Sequence, residues 1–153
     1  MASFCSSYVL YQALRDKGFD GDVLLGHSTG EITALAAAGA LSVPDAARVL
    51  CEREVALAEA GVRGCMVVAR AGASRTEHLC RAAGGWTLSV ALSNSPEQTV
   101  VSGSKADLPA FEAVAQAAGV QTTRLPVHYA HHNPVLRPAA ARLAAAMAYC
   151  PDR

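Results

Sequence analysis

Apolar side chains recur every three or four positions at the start of the chain, at Phe4, Tyr8, Tyr11 and Leu14. That spacing predicts a helix over residues 3–17, ended by Gly18. The short continuous run Val23-Leu24-Leu25 reads as a strand, and the alanine-rich stretch from Glu31 to Ala38 reads as a helix stopped by Gly39. Between them stands Gly26-His27-Ser28-Thr29-Gly30. Helix, strand, glycine-flanked turn and helix, in that order, is the local grammar of a parallel α/β layer. Residues 44–60 predict another helix, opened by Pro44 after Ser42 and Val43 and ended by Gly61.

From there the pattern changes. Cys65 to Ala69 reads as a strand and Ser74 to Ala83 as a helix. Thr87 to Leu92 and Thr99 to Ser102 read as two strands separated by the turn-prone Asn94-Ser95-Pro96. Lys105 to Ala118 has helical spacing, and Val120 to Leu125 is a final strand. The order β-α-β-β-α-β is that of a ferredoxin-like unit. The expectation is an α/β chain in which residues 62–125 form a small ferredoxin-like subdomain. It is inserted into a larger parallel α/β subdomain made of residues 1–61 and 126–153. A last helix begins at Pro134, with Asn133 as its N-cap, and runs to about Met147.

Composition narrows the function classes. The 153 residues are 52% hydrophobic and 17% charged, which argues for a folded core rather than disorder. The formal net charge is zero with no basic stripe, so a nucleic-acid partner is not expected. No apolar run reaches membrane-spanning length, and the N-terminus lacks a basic signal-peptide start, so a soluble cytoplasmic protein is expected. Cys5, Cys51, Cys65, Cys80 and Cys150 are scattered singly, which fits reduced thiols better than a disulfide framework or a metal site.

The turn and three histidines hold the candidate chemistry. A GxSxG turn between strand and helix requires small neighbours, so that Gly26 and Gly30 can let Ser28 present Oγ beside a helix N-terminus. There the Thr29 N–H is placed to hold an oxyanion. The alternative is a glycine-rich connection with an incidental serine. Serine needs a base, and His128, His131 and His132 cluster in one loop. They have the spacing of metal ligands, yet no carboxylate or cysteine joins them nearby, and no metal is expected. His132 directly precedes the cap of a helix, where positive charge is disfavoured, so it is the candidate base. Arg53 falls on the buried stripe of Ala46, Leu50 and Leu57. It either snorkels or pairs with a structural carboxylate, or it awaits an anionic ligand.

Gly26-His27-Ser28-Thr29-Gly30-Glu31, followed by Ala38-Gly39-Ala40-Leu41-Ser42, resembles the GHSxGE…AGALS signature of the acyltransferase domains of fatty-acid and polyketide synthases. Asn94-Ser95-Pro96-Glu97-Gln98 and Val100-Val101-Ser102-Gly103 are similar to that family's NSPxQxVVSG segment. The resemblance implies a hydrolase-like α/β core with a ferredoxin-like subdomain, Ser28 as the nucleophile and His132 as its base. His132-Asn133-Pro134 stands where the family has an HS-P pattern, with Asn133 in place of the usual serine. It also implies that Arg53 forks onto the free carboxylate of malonyl-type groups, with His27, Asn94, Tyr129 and His131 on the substrate side. Tyr129-Ala130-His131-His132 is closer to the family's YASH form, associated with methylmalonyl, than to HAFH, associated with malonyl. His131 replaces the usual serine there, so neither extender is favoured, and malonyl is placed first as the commoner one.

The implied reaction is ping-pong transfer from acyl-CoA to the phosphopantetheine of an acyl carrier protein, with no bound cofactor and with a ketosynthase or other synthase domain as neighbour. One rival is a serine hydrolase of the α/β-hydrolase type, which needs an acid on a strand-end loop, where neither Asp45 nor Asp107 is expected. The other is a non-catalytic remnant that docks a carrier protein. The family's GQGSQ-type segment has no counterpart before Ser28, and the C-terminal part of its core is absent after Arg153. An incomplete core, with weak solubility and turnover, is therefore expected.

Overall fold

A computed structural model describes residues 1–19, 21–61 and 63–148. They form a mixed α/β protein that divides into two compact units. One comprises Met1–Ala56 with the chain from Ala141 onward, and the other comprises Leu57–Ala140. The second unit extends at both ends beyond the 62–125 segment marked out by the sequence pattern.

The first unit is helical. Helices α1 (Ala2–Asp16) and α2 (Gly30–Ala37) pack with the first part of α3 (Val43–Ala60). Phe4, Ala36, Ala46 and Leu50 are buried together, with Tyr8, Ile32 and Leu41 against them. The α1 stripe therefore buries mainly at its N-terminal end, where Phe4 stacks on Tyr8 at 6.0 Å, and Tyr11 Oη donates to the Ala37 carbonyl at 3.2 Å. Ser42 opens α3 by accepting from the Asp45 N–H (3.2 Å) while donating back to its carboxylate. The strand expected at Val23-Leu24-Leu25 enters no ladder among the described residues, and Val23 and Leu25 are 81% and 94% exposed. A strand exists only with a partner, and the described strands pair only with one another in the second unit.

In the second unit the elements run β1 (Cys65–Ala69), α4 (Ala73–Ala83), β2 (Ser89–Ser95), β3 (Gln98–Gly103), α5 (Leu108–Ala117) and β4 (Thr122–Leu125). The sheet order is β2-β3-β1-β4, antiparallel throughout, which is the ferredoxin-like arrangement. Val67 pairs with Val101, and both pack with Leu79, Leu108, Phe111 and Ala115 into the core beneath α4 and α5. Strand alternation sends their neighbour Ser102 to the opposite face, where it is nevertheless fully buried.

Among the boundaries that differ from the sequence pattern, three have a clear local reason. β2 continues through Asn94 and Ser95, because Ser95 pairs with Gln98 and the turn tightens to Pro96-Glu97, with Ser95 Oγ accepting the Glu97 N–H at 3.2 Å. α5 starts at Leu108 rather than Lys105, because the Asp107 N–H donates to Ser104 Oγ and its carboxylate is held by Thr87. The last helix splits into a 3-10 turn (Pro134–Leu136) and α6 (Arg137–Met147). Pro138 has no N–H to give the Pro134 carbonyl, which accepts from Arg137 instead.

Candidate active site

Within the first unit, the chain turns from residues 23–25 into α2 through two short backbone bonds. Gly30 N–H donates to the His27 carbonyl (2.9 Å) and Glu31 N–H to that of Ser28 (3.0 Å). This closure drives Ser28 to φ +53°, a region a side chain rarely occupies. Gly26 is indispensable to it. A Cβ there would lie 2.3 Å from the Gly30 carbonyl oxygen and 2.4 Å from the Glu31 backbone. Gly30 differs from the expectation, because a Cβ on it would meet open space and its φ is ordinary. The steric demand of the turn thus falls on the first glycine.

Ser28 and Thr29 are half-buried, and His27 is exposed in the cleft lined by Tyr11, Leu24 and Ala34. Thr29 occupies the cap position of α2, so its N–H lies at the positive end of the helix. Arg53 reaches it from α3, with Nη1 donating to Thr29 Oγ1 at 2.7 Å. The Arg53 side chain is 31% exposed rather than fully buried, and Nη2 pairs with Glu54 at 2.8 Å. The sequence pattern had no signal for Glu54, which stands next to Arg53 on the helix and supplies a carboxylate to its fork.

The second unit carries the histidine loop. Gly64 N–H donates to the His128 carbonyl at 3.1 Å, and Arg63 bridges to Tyr129. Ala130 is buried against Gly64, where an added Cβ would come within 2.7 Å of the Ala130 Cβ. The Tyr129 and His131 rings meet edge to face at 6.0 Å, and His132 is exposed at φ +55°. Asn133 caps the following turn, accepting the Val135 N–H at 3.0 Å. It does more than the sequence suggested. The residue is 6% exposed, and its Nδ2 lies 2.8 Å from the Thr87 carbonyl and 3.1 and 3.0 Å from the carbonyl and Oγ of Ser102.

Asn94 is not brought to this loop. It is exposed near the hairpin tip, bonded to Gln98 at 3.2 Å. Gln98 lies four positions along β3 from Ser102, roughly 13 Å at strand spacing. Asp107 and Asp45 are engaged as helix-start acceptors, from Thr87 and Ser42 respectively. Thr87 holds the Asp107 carboxyl below the usual carboxylate range, first through its hydroxyl and then through its N–H. Among the described residues no three His, Cys, Asp or Glu side chains are grouped to hold a metal ion, and no helix is long and apolar enough to cross a membrane. Cys5, Cys51, Cys65 and Cys80 form no disulfide, and Cys150 lies outside the described residues.

The family model for the acyl transferase domain matches residues 4–153. Over 126 residues the chain is 38% identical to the polyketide synthase GfsE of Streptomyces halstedii, spanning 82% of this chain and 3% of that synthase. The acyl transferase domain of SpnD, solved with 2-(pent-4-yn-1-yl)malonyl, superposes with a TM-score of 0.88 at 32% identity, over 98% of this chain and 35% of that one. A malonyl CoA-acyl carrier protein transacylase from Clostridium perfringens superposes with a TM-score of 0.83 at 26% identity, over 93% of this chain and 46% of that one. The chain therefore spans less than half the length of each of these relatives, and within that span it belongs to the acyl transferase domain family.

Proposed function

We propose that Ser28 takes a malonyl-type acyl group from a CoA thioester and passes it to the phosphopantetheine thiol of an acyl carrier protein. The observation that carries this reading is that strain coincides with chemistry. Among the described residues, the two non-glycine positions at positive φ are the serine of the GxSxG turn and the histidine before the last helix cap. Such positions cost about 1–3 kcal/mol each and cluster where side-chain placement matters more than local comfort.

In the first half-reaction, Ser28 Oγ attacks the thioester carbonyl and His132 takes the hydroxyl proton. Charge collects on the carbonyl oxygen, beside the Thr29 N–H and the start of α2. The C–S bond then breaks, and CoA leaves with the proton returned from His132. In the second half-reaction the pantetheine thiol gives its proton to His132, its sulfur attacks the acyl-serine ester, and Ser28 Oγ recovers a proton. No metal or redox cofactor takes part.

Arg53 gives the substrate class. Its bond to Thr29 Oγ1 puts a guanidinium next to the nucleophile's own turn. A planar fork there suits the distal carboxylate of a malonyl or methylmalonyl group. His27, Tyr129 and His131 belong to the substrate side, and Asn94, near the hairpin tip, is left outside this set. The setting is cytoplasmic, beside a ketosynthase or other synthase domain, without nucleic acid or membrane. Hydrolysis of the triad type is the weaker reading, because Asp45 and Asp107 are engaged at helix starts.

Incubation with malonyl-CoA followed by intact-mass and peptide analysis tests the proposal. A malonyl adduct is expected on the peptide containing Ser28 and is expected to vanish in Ser28→Ala. An adduct that persists in that variant overturns it.

A further inference from the structure

In the loop from His128 to Asn133 two residues are buried, and His132 between them is exposed. Ala130 is buried against Gly64, Asn133 is buried against Thr87 and Ser102, and His132 stands exposed at positive φ between these anchors. A helix cap alone needs no such burial, since the cap bond to Val135 uses only Oδ1.

The other end of the amide does separate work. Nδ2 carries two hydrogens and faces three acceptors: the Thr87 carbonyl, the Ser102 carbonyl and Ser102 Oγ. All three belong to the sheet or the segment leading into it, and both partner residues are themselves buried. Thr87 is fixed in turn. Its N–H and hydroxyl both donate to the Asp107 carboxylate, and its Oγ accepts the Ser104 N–H at 2.8 Å. A rigid chain of bonds thus runs from the start of α5 through Thr87 to Asn133, one residue from the candidate base. The amide orientation is chemically determined, because two backbone carbonyls accept and cannot donate.

We infer that Asn133 is the positioning residue of the acyl transfer, an amide clamp that fixes the backbone of His132 at positive φ and so aims its imidazole. This rests on the reading of His132 as base. A serine at position 133 offers a single hydroxyl hydrogen and cannot both cap the turn and reach two carbonyls. The clamp is therefore specific to asparagine in this chain.

Three variants of the protein test the clamp, with two readouts. Asn133→Asp keeps the capping oxygen and the size but removes both N–H donors. Ser102→Ala removes one acceptor and leaves both carbonyls. His132→Ala removes the base. The readouts are the acylation rate with malonyl-CoA, separated into kcat and KM, and the Cα and Cβ chemical shifts of residue 132, which report its φ. Asn133→Asp is expected to lower kcat roughly 10- to 100-fold with KM little changed, as for a misaligned catalytic group. The His132 shifts should move away from positive-φ values, and Ser102→Ala should move both readouts the same way by less.

Unchanged kcat or unchanged His132 shifts in Asn133→Asp overturn the clamp. If that variant does not fold, Ser102→Ala decides by the same readouts. Undiminished acylation in His132→Ala overturns the base reading instead, while a shift change in Asn133→Asp would still establish that the amide holds the loop.

Discussion

Arg53 offers the most quantitative test of substrate class, because its present partners define what a substrate must displace. Nη1 is committed to Thr29 Oγ1 at 2.7 Å, while Nε and Nη2 both reach Glu54 Oε1, at 3.3 and 2.8 Å. Glu54 is 58% exposed, so this pair contributes about 0.2–1 kcal/mol. A malonyl carboxylate replacing it gains about 1.5–3 kcal/mol as a charge-assisted bond. The exchange is therefore worth roughly 0.5–2.8 kcal/mol, or about 2- to 100-fold in kcat/KM for malonyl relative to acetyl donors. Arg53→Ala should erase that ratio and leave acetyl transfer nearly intact. Arg53→Lys should recover it only in part, since an ammonium cannot fork. Glu54→Gln removes the internal competitor and should raise the malonyl preference by up to about 5-fold. Single-turnover acylation with paired malonyl- and acetyl-CoA provides the measurement. Equal slowing of both donors by Arg53→Ala, or a loss of malonyl transfer in Glu54→Gln, would refute the reasoning and make Arg53 a structural tie to Thr29.

Two further outcomes follow from the same geometry. Gly26→Ala forces a Cβ into backbone atoms 2.3–2.4 Å away and should destabilise the fold by roughly 1–3 kcal/mol. Gly30→Ala has open space and should be neutral or stabilising by up to about 1 kcal/mol; urea unfolding that ranks them the other way would mean the turn closes differently. Burial, and secondarily the Glu77 carboxylate, pushes the Cys80 thiol up to about 11. At pH 8 it should therefore stay protonated and resist iodoacetamide, while exposed Cys5 and Cys51 react; early labelling of Cys80 by peptide mapping would contradict this.

The sequence pattern reached furthest where local period and tertiary role agree. Cys65–Ala69 is a continuous apolar run and is largely buried as a strand, the helix after it buries Thr76, Leu79 and Cys80 at helical spacing, and the β-α-β-β-α-β order alone specified the ferredoxin-like sheet. It reached less far where a position answers to a distant partner. Thr87 looks like the first residue of a strand, but the Asp107 carboxylate, twenty residues on, takes its N–H and hydroxyl, and the strand starts at Ser89. Val23-Leu24-Leu25 has strand composition, yet strand character belongs to a pair and not to a segment. Asn133 was legible as a cap because capping is local. Its second role depends on carbonyls 31 and 46 residues away, which no spacing rule encodes.

Strain makes the same point at both chemical positions. A side chain at positive φ is uphill by about 1–3 kcal/mol, so it persists only where neighbours over-determine it. At Ser28 the neighbours are local. Two i to i+3 backbone bonds and the absence of a Cβ at Gly26 close the turn, and that is why a five-residue motif was enough to find it. At His132 they are not local. The buried flanks Ala130 and Asn133 are held by Gly64, Thr87 and Ser102, contributed by three separate segments of the second unit. The conformation of Ser28, the proposed nucleophile, is thus written in the turn around it, whereas that of His132, the proposed base, is a property of the folded ferredoxin-like unit. Perturbing that unit's core should disturb His132 well before it disturbs Ser28.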